Sequence, residues 1–317
     1  MRPVRSRATS LSPHEGSGAT DMDSCVRCAT RRRLLLLMSA ALLAVACCNP
    51  VSPSASGGGV VFESSWDTAV GTAKQAVTDN GRWPNYWEFN DAHVQILSVV
   101  PDGVNGHHAL RVQQRGAHYA AFLQVDDILP ESEDFYLRFY MKNEDTSGMG
   151  DHIVTVDTRN YGNLTFIRKY SDPSGWRFDV SLYGCGGAYP IAHWGPAGQL
   201  AHSQWYRFEY FVHYTDTNEI QVSPRVYDSN NALLYTDADF QQQDFKRGGV
   251  WNGRDDWTLA SYYAAGHSFC TQPAWTNDFG LGNNGQRDAV DTGRYWYFSA
   301  VQIRRDTWPG PVSLSPE

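Results

Sequence analysis

Three side chains that can do chemistry alternate with apolar ones in residues 135–142: Tyr136, Arg138 and Tyr140. In an extended strand, residues two apart lie on the same face, about 7 Å from each other. A phenol can give or take a proton, and a guanidinium can neutralise a carboxylate with two parallel hydrogen bonds. This row therefore predicts a surface that binds sugars or one that removes a proton from a uronic acid.

The same alternation places polar groups on single faces of two further segments, residues 205–214 and 176–183. These polar residues are Arg207, Glu209 and His213 in the first segment, and Arg177, Asp179, Ser181 and Tyr183 in the second. If neighbouring strands join these faces, they form one open trough for a glycan. Otherwise they are solvated sheet faces with cross-strand ion pairs.

Two reaction classes draw on residues of these types. A lyase that cleaves a uronic-acid glycan by β-elimination needs a base, an acid and a group that neutralises the carboxylate. Tyr140, His213 and Arg138 have the side chains for those roles. A retaining glycosidase needs two carboxylates about 5 Å apart, and the compact Glu-x-Asp-x-Glu run that one strand could supply is absent from the sequence.

Such residues need strands to position them, and period-two alternation of aromatic and β-branched residues dominates from residue 60 onward. Besides the segments above, this pattern predicts strands at residues 109–113, 118–125, 152–157, 164–169, 221–227, 232–236 and 295–304. Residues 67–78 are the one stretch that reads as a helix, and Gly71 interrupts it. The pattern predicts an all-β fold, an antiparallel β-sandwich with little helix.

The chain also resembles a known superfamily. Residues 279–282 and 292–303 are similar to the closing strand of concanavalin A-like jelly rolls, which pairs near the N-terminal strand, here residues 60–64. The aromatic residues 204–212, followed by a hairpin over residues 220–235, resemble the central pattern of that fold. The resemblance implies a concanavalin A-like jelly roll that spans most of the chain after residue 60.

This superfamily includes lectins, laminin-G-like modules, glucanases and polysaccharide lyases, so the fold alone selects no function. Its members commonly bind glycans on a sheet face. The residues predicted to contact a glycan here are Tyr136, Arg138, Tyr140, Asp179, Tyr183, Arg207, Glu209 and His213. Many members hold a structural Ca²⁺ between the terminal strands, and the nearest carboxylates for one are Glu63, Asp278 and Asp291.

The N-terminal segment has a different chemistry. Three arginines, Arg31-Arg32-Arg33, precede an apolar run at residues 34–46, which makes about 20 Å of helix and is too short for a bilayer core of about 30 Å. A basic flank, a short apolar run and small residues predict a cleavable signal peptide. Ala44-Val-Ala-Cys47 resembles a bacterial lipobox, which implies lipidation of Cys47; plain cleavage after Ala46 is the alternative.

The sequence predicts three parts: a signal peptide at residues 1–48, a flexible Pro/Ser/Gly tether at 49–59, and a single sandwich domain at 60–317. The formal net charge of −8 predicts no long-range attraction to nucleic acid or to anionic lipid. The lipid anchor is therefore the one predicted membrane contact. Cys185 and Cys270 are the cysteines of the predicted domain. In an oxidising compartment they predict one disulfide, with two separate buried thiols as the alternative.

The leading hypothesis is an exported, lipid-anchored carbohydrate-binding protein of the cell envelope, whose partner is a polysaccharide. Export and the many aromatic residues favour it. The second hypothesis is a polysaccharide lyase on the same fold, and the third is a structural or adhesive envelope protein without a glycan site. The lyase hypothesis differs from the others because it requires an acid, a base and an arginine to meet at one glycosidic bond.

Overall fold

The structure is a computed structural model that describes residues 59–89, 97–114, 120–128, 133–146, 148–157, 163–183, 190–216, 219–242, 262–263, 278–283 and 294–313. Within these ranges the strands, in chain order, are β1 (Val60–Ser64), β2 (Asn85–Phe89), β3 (Leu97–Val100), β4 (Ala109–Gln114), β5 (Ala120–Val125), β6 (Phe135–Asn143), β7 (Gly148–Asp157), β8 (Asn163–Asp172), β9 (Gly175–Tyr183), β10 (Pro190–Pro196), β11 (Trp205–Asp216), β12 (Glu219–Tyr227), β13 (Leu233–Thr236), β14 (Phe240–Gln242), β15 (Tyr262–Tyr263), β16 (Asp278–Asn283) and β17 (Arg294–Arg304). The helices in these ranges are single turns: α1 at Lys74–Val77 and 3₁₀ turns at Val104–Gly106 and Asp237–Asp239.

The strands form two antiparallel sheets. Sheet A has the order β13-β12-β11-β6-β17-β4-β3, with β1 added to β17 and β15 added to β12. Sheet B has the order β14-β10-β9-β8-β7-β16-β5-β2. The predicted all-β, antiparallel β-sandwich with little helix is confirmed. So is the pairing of the first and last strands, in which Phe62 lies opposite Ile303.

Aromatic side chains fill the space between the sheets. Trp176 and Phe178 of β9 lie with their ring centroids 6.1 and 5.1 Å from the Phe208 ring of β11. On β6 the predicted apolar face points into this core, because Phe135, Leu137 and other residues of the same parity are buried. The polar residues of β6 therefore point away from sheet B.

The predicted helix at residues 67–78 shrinks to the single turn α1. Gly71 instead pairs with Val99 of β3, and their backbones exchange hydrogen bonds of 2.9 and 2.8 Å. Gly71 has a φ of +123°, far from the helical value of about −63°, so the helix begins only after this bridge. No helix among the described residues has the length and apolarity needed to cross a membrane.

One ion pair lies inside the core. Lys169 Nζ donates a hydrogen bond to Asp145 Oδ2 at 2.5 Å, and both side chains are completely buried. The ammonium group lies 4.9 Å from the centroid of the Trp296 ring. Asn143 donates a hydrogen bond to the Asp145 carbonyl and another to Ser171 Oγ, both at 3.0 Å. The charges are thus enclosed in a connected polar network.

Candidate functional site

Two strands bring most of the predicted glycan residues together on the outward face of sheet A. In the pairing of β6 with β11, Tyr140 lies opposite Arg207, Arg138 opposite Glu209, and Tyr136 opposite Phe211. The alternation predicted from the sequence therefore holds on both strands. The polar rows of β6 and β11 form one face, as expected.

The chain's own C-terminal residues cross this face. Residues 305–313, here called the strap, follow β17 and lie over its neighbours. Arg138 Nη1 donates a hydrogen bond to the carbonyl of Gly310 at 3.1 Å, and the N–H of Val312 donates to Tyr140 Oη at 3.0 Å. Arg138 and Tyr140 are buried as a result.

The charges under the strap form a desolvated group. The side chain of Glu209 is 2% exposed, and its carboxylate lies 3.3 Å from Arg207 Nε. Burial raises the pKa of Glu209, although Arg207, Arg138 and a hydrogen bond from the Gly310 N–H oppose that shift. Burial also lowers the pKa of Arg138. A sugar cannot reach Arg138, Tyr140 and Glu209 while the strap is in place, so the predicted open trough is closed at its centre.

One end of the face remains partly exposed. His213 Nδ1 lies 2.6 Å from Asp134 Oδ2, and both side chains are 40% exposed. The ring of Phe211 stacks on that of Tyr136, with centroids 4.5 Å apart, and Trp308 of the strap packs edge-on against both rings. The predicted residues Tyr136 and His213 lie at this end.

The predicted lyase residues do not form one site. Tyr140 lies opposite Arg207, and His213 is six residues further along β11, or about 20 Å at the rise of a strand. Tyr140 and His213 cannot both contact one glycosidic bond across that distance. The structure therefore places His213 apart from Tyr140 and Arg138 along the same face, because alternation puts residues on a shared face without bringing them within reach of one another.

The other predicted polar row lies on the opposite side of the molecule. Asp179 belongs to β9 in sheet B, and its neighbours Phe178 and Val180 are buried in the core. Asp179 consequently points away from sheet A. Tyr183 is at the end of the same strand, where its backbone pairs with Asn163. The hypothesis of one trough is corrected to two separate faces, because the sequence pattern does not say which sheet a strand joins.

The outward face of sheet B carries a cluster of polar residues that we call the polar floor: Thr155, Thr165, Arg168, Asp179 and Ser181. Thr155 lies opposite Thr165 and Thr165 opposite Ser181, while Arg168 lies opposite Asp179. Ser181 Oγ donates a hydrogen bond to Asp179 Oδ1 at 2.7 Å. Each of these five residues is at most 3% exposed. Polar side chains in adjoining rows are thus enclosed on a face that points away from the core.

Larger polar groups stand at one end of the polar floor. Tyr170 and Arg177 lie opposite each other on β8 and β9, with Arg177 exposed and Tyr170 half-buried. The guanidinium carbon of Arg168 lies 5.4 Å from the centroid of the Tyr170 ring. In the other direction, His193 of β10 occupies the register position opposite Ser181. The floor therefore runs from an arginine- and tyrosine-bearing end toward β10.

On the other side of the floor, the β16 glycines Gly280 and Gly282 leave space for the side chain of Phe122. Gly280 lies opposite Thr155 on one strand and Gln124 on the other. A Cβ atom at Gly280 would lie 2.1 Å from the ring of Phe122, so the ring occupies the space above this glycine. The boundary of the polar floor is therefore an aromatic ring that covers the strand.

The sequence pattern placed Asp179 and Ser181 on one strand face, but it did not group Thr155, Thr165 and Arg168 with them. The pairing of β8 with β9 shifts register between Thr165 and Arg168, which indicates a β-bulge. Thr165 and Arg168 share a face although they are three residues apart, and Lys169 points into the core. Strict alternation from Thr165 would have placed Lys169 outside. The exposed Arg177 was the available signal, since it shares a strand face with Asp179.

The calcium site remains a prediction, and two of its three ligands lie on different sheets. Glu63 lies on β1 of sheet A and accepts a hydrogen bond from Gln302 at 3.1 Å. Asp278 lies on β16 of sheet B and accepts one from the N–H of Asp127 at 2.8 Å. Asp291 is outside the described ranges, and within those ranges no three His, Cys, Asp or Glu residues are grouped to hold a metal ion.

The predicted disulfide and lipidation sites also lie outside the described residues: Cys185, Cys270 and Cys47. Both remain predictions. The same holds for the signal peptide at residues 1–48 and for all but the last residue of the tether at 49–59.

The end of the strap is held by a histidine and a carboxylate. His107 Nε2 lies 3.2 Å from the carbonyl oxygen of Ser313, and its Nδ1 lies 2.6 Å from Asp67 Oδ2. Burial alone would raise the pKa of Asp67, but hydrogen bonds from the His108 N–H, His107 and Ser65 outweigh it and lower the pKa. The ionised carboxylate therefore stabilises the folded state.

Acidification should remove this contribution. Because the folded-state pKa of Asp67 is lowered, its stabilisation is complete above the unfolded value, about pH 4, and is lost as the pH falls through the folded value. We expect the stability difference between the wild type and Asp67→Asn to shrink from pH 5 to pH 2, measured by urea unfolding. A difference in the free energy of unfolding that stays constant from pH 5 to pH 2 would show that Asp67 does not contribute in this way.

Comparisons with known proteins were made for the whole chain. No family model matches it, and no curated protein matches it. Among solved structures, it is similar to the alginate lyase Aly36B (TM-score 0.47, 12% identity, covering 78% of this chain and 97% of that one). It is also similar to the PL-14 alginate lyase from Aplysia kurodai (TM-score 0.46, 11% identity, covering 77% of this chain and 98% of that one). A third similar structure is the endo-β-1,4-glucuronan lyase from the fungus Trichoderma reesei (TM-score 0.41, 11% identity, covering 77% of this chain and 95% of that one).

Proposed function

We propose that the chain is an exported carbohydrate-binding protein of concanavalin A-like fold that holds its glycan over the polar floor of sheet B. One observation carries the proposal: Thr155, Thr165, Arg168, Asp179 and Ser181 are enclosed on an outward sheet face although all are polar. An ordinary solvated face would leave such side chains exposed, and a face covered for stability would be apolar.

The chemistry of the polar floor suits a ligand rich in hydroxyl groups. Three hydroxyls, a carboxylate and a guanidinium supply donors and acceptors within two adjoining rows. Ligand sites of this kind combine a concave surface with a few convergent polar groups that fix orientation. The hydroxyl of Ser181 donates a hydrogen bond to Asp179, which fixes its orientation within the floor.

The arginines indicate which glycans fit. The chain has a formal net charge of −8, which weakly repels polyanions at long range. At the floor, however, Arg168 is enclosed and Arg177 is exposed on the adjoining strand. Guanidinium groups bind carboxylates with two parallel hydrogen bonds. A glycan that contains uronic acid is therefore the preferred partner.

Ser181→Ala should weaken glycan binding by about fivefold, since one hydrogen bond contributes about 1 kcal/mol. Calorimetry with alginate, glucuronan and cellulose oligosaccharides would measure the change. Ser223→Ala is the matched control, because Ser223 lies on β12 of sheet A and should leave binding unchanged. Equal effects of both substitutions would contradict the proposed location. Absence of binding to all three oligosaccharides would instead favour a structural or adhesive envelope protein.

A polysaccharide lyase is the second candidate, and the contact between Arg168 and Tyr170 favours it. The guanidinium lies 5.4 Å from the phenol ring, so one residue could neutralise a uronate while the other moves a proton. These two residues replace the combination that the sequence suggested. A lyase forms an unsaturated product that absorbs near 235 nm, so incubation with the same polymers separates it from a binding protein.

Export and lipid anchoring belong to the same proposal and rest on the sequence. Arg31-Arg32-Arg33 and the apolar run at residues 34–46 support export, and the lipobox-like Ala44-Val-Ala-Cys47 supports an anchor at Cys47. A protein held at the cell envelope by its N-terminus would present the sandwich to polysaccharides outside the cytoplasm.

A further inference from the structure

The strap, residues 305–313, is held by an aromatic anchor. Trp308 packs against the rings of Tyr136 and Phe211, with centroid distances of 5.3 and 6.3 Å. The guanidinium carbon of Arg225 lies 3.8 Å from the centroid of the Trp308 ring. The indole therefore fills a slot between side chains of β6, β11 and β12. Large aromatic residues in such slots are typical energetic centres of peptide and protein interfaces.

Beyond this anchor, sheet A and its loops contact the backbone of the strap. The contacts are Arg138 Nη1 to the Gly310 carbonyl, the Val312 N–H to Tyr140 Oη, Asn105 Nδ2 to the Val312 carbonyl, and His107 Nε2 to the Ser313 carbonyl, at 3.1, 3.0, 2.9 and 3.2 Å. All four are made to peptide groups and not to side chains of the strap. This face therefore has the features of a site that recognises an extended peptide.

The backbone between the anchor and these contacts requires glycine. Gly310 has a φ of +68°, in the left-handed region that other residues enter only with strain. A Cβ atom there would have nothing within 4 Å, so the requirement comes from the backbone and not from crowding. Trp308 and Gly310 together define a short signature, an aromatic residue followed two positions later by glycine.

We propose that this face of sheet A is a peptide-binding groove, and that it accepts the C-terminal segment of a second copy of the chain when its own strap is displaced. The groove is already shaped for that segment, since its anchor slot and its backbone contacts are formed in one molecule. A strap attached to the same chain has an effective concentration in the millimolar range. It therefore excludes a free segment until its own anchor is weakened.

A labelled peptide of residues 305–317 tests this on the full-length protein by fluorescence anisotropy. We expect Trp308→Ala protein, whose own strap has lost its anchor, to bind the peptide at least tenfold more tightly than the wild type does. A peptide that carries the same Trp308→Ala change should bind the variant about thirtyfold more weakly than the native peptide, as expected when an aromatic anchor is removed.

Trp205→Ala is the matched control, because Trp205 is also a half-buried tryptophan on sheet A, and its ring packs against Tyr297 and Lys142. It should bind the peptide no better than the wild type. Gly310→Ala strains the backbone of the strap and should also raise peptide binding. It provides the test if Trp308→Ala does not fold. If folded Trp308→Ala and Gly310→Ala proteins both bind the peptide no better than the wild type, the proposal is overturned. Glycan binding at the polar floor is measured separately and does not affect this outcome.

Discussion

Lys169→Met is expected to lower the free energy of unfolding by about 3–5 kcal/mol, which is the usual effect of removing one partner of a buried ion pair. Lys169 and Asp145 are both completely buried, with 2.5 Å between Nζ and Oδ2. The methionine would keep most of the volume beside Trp296 but would leave the carboxylate of Asp145 without its counter-ion. Urea unfolding followed by tryptophan fluorescence would measure the loss.

Two comparisons separate this effect from a simple change of packing. Lys169→Met/Asp145→Leu removes both charges and should recover much of the stability, because well-packed apolar residues can replace a buried ion pair. Asp102→Asn breaks the contact of Asp102 with Lys142, in which the Asp102 side chain is 64% exposed, and should change stability by less than about 1 kcal/mol. If Lys169→Met and Asp102→Asn have equal effects, enclosure of the charges is not what matters.

The sequence predicts the strands of this fold well because the signal is local. Alternation along β6 identified Phe135 and Leu137 as core residues, and both are buried. The predicted ends of β6 and β11 differ from the observed ends by at most two residues. A strand that packs one face against a second sheet must alternate in this way, so each segment carries its own evidence.

The candidate site was harder to predict because its geometry is not local. The bulge between Thr165 and Arg168 changes which residues of β8 face outward, and the pattern of side chains alone does not reveal it. The assignment of β9 to sheet B placed Asp179 on the opposite side from Arg138. Residue types near the C-terminus also gave no sign that Gly310 and its neighbours would cover Arg138. Each difference depends on contacts between distant parts of the chain.

The outward face of sheet A is covered by the chain itself. On sheet A, the charged residues Arg138 and Glu209 contact the strap at Gly310, so their burial is explained by the chain itself. This explanation makes the face a structural and peptide-binding surface. The proposed glycan site is the polar floor, where Arg168 lies opposite Asp179 in a strand pair of sheet B.

The sharpest test of that assignment is the double substitution Arg168→Met/Asp179→Asn. We expect it to weaken binding of alginate or glucuronan oligosaccharides by about ten- to a hundredfold, because a charge-assisted hydrogen bond contributes about 1.5–3 kcal/mol. Changing both residues keeps the local charge balanced, so that no buried carboxylate is left without a cation. Calorimetry with a uronate and a neutral oligosaccharide of equal length would give the two affinities.

The comparison between ligands decides the role of the arginine. If Arg168 binds a uronate carboxylate, the loss should be larger for the charged oligosaccharide than for cellulose oligosaccharides, which have no carboxylate. Arg168→Lys/Asp179→Asn should restore only part of the affinity, since an ammonium group lacks the planar pair of donors. Arg111→Met, on β4 of sheet A, is the matched control for removing a cation and should leave both affinities unchanged. An equal loss for charged and neutral ligands would show that Arg168 shapes the floor without contacting a carboxylate.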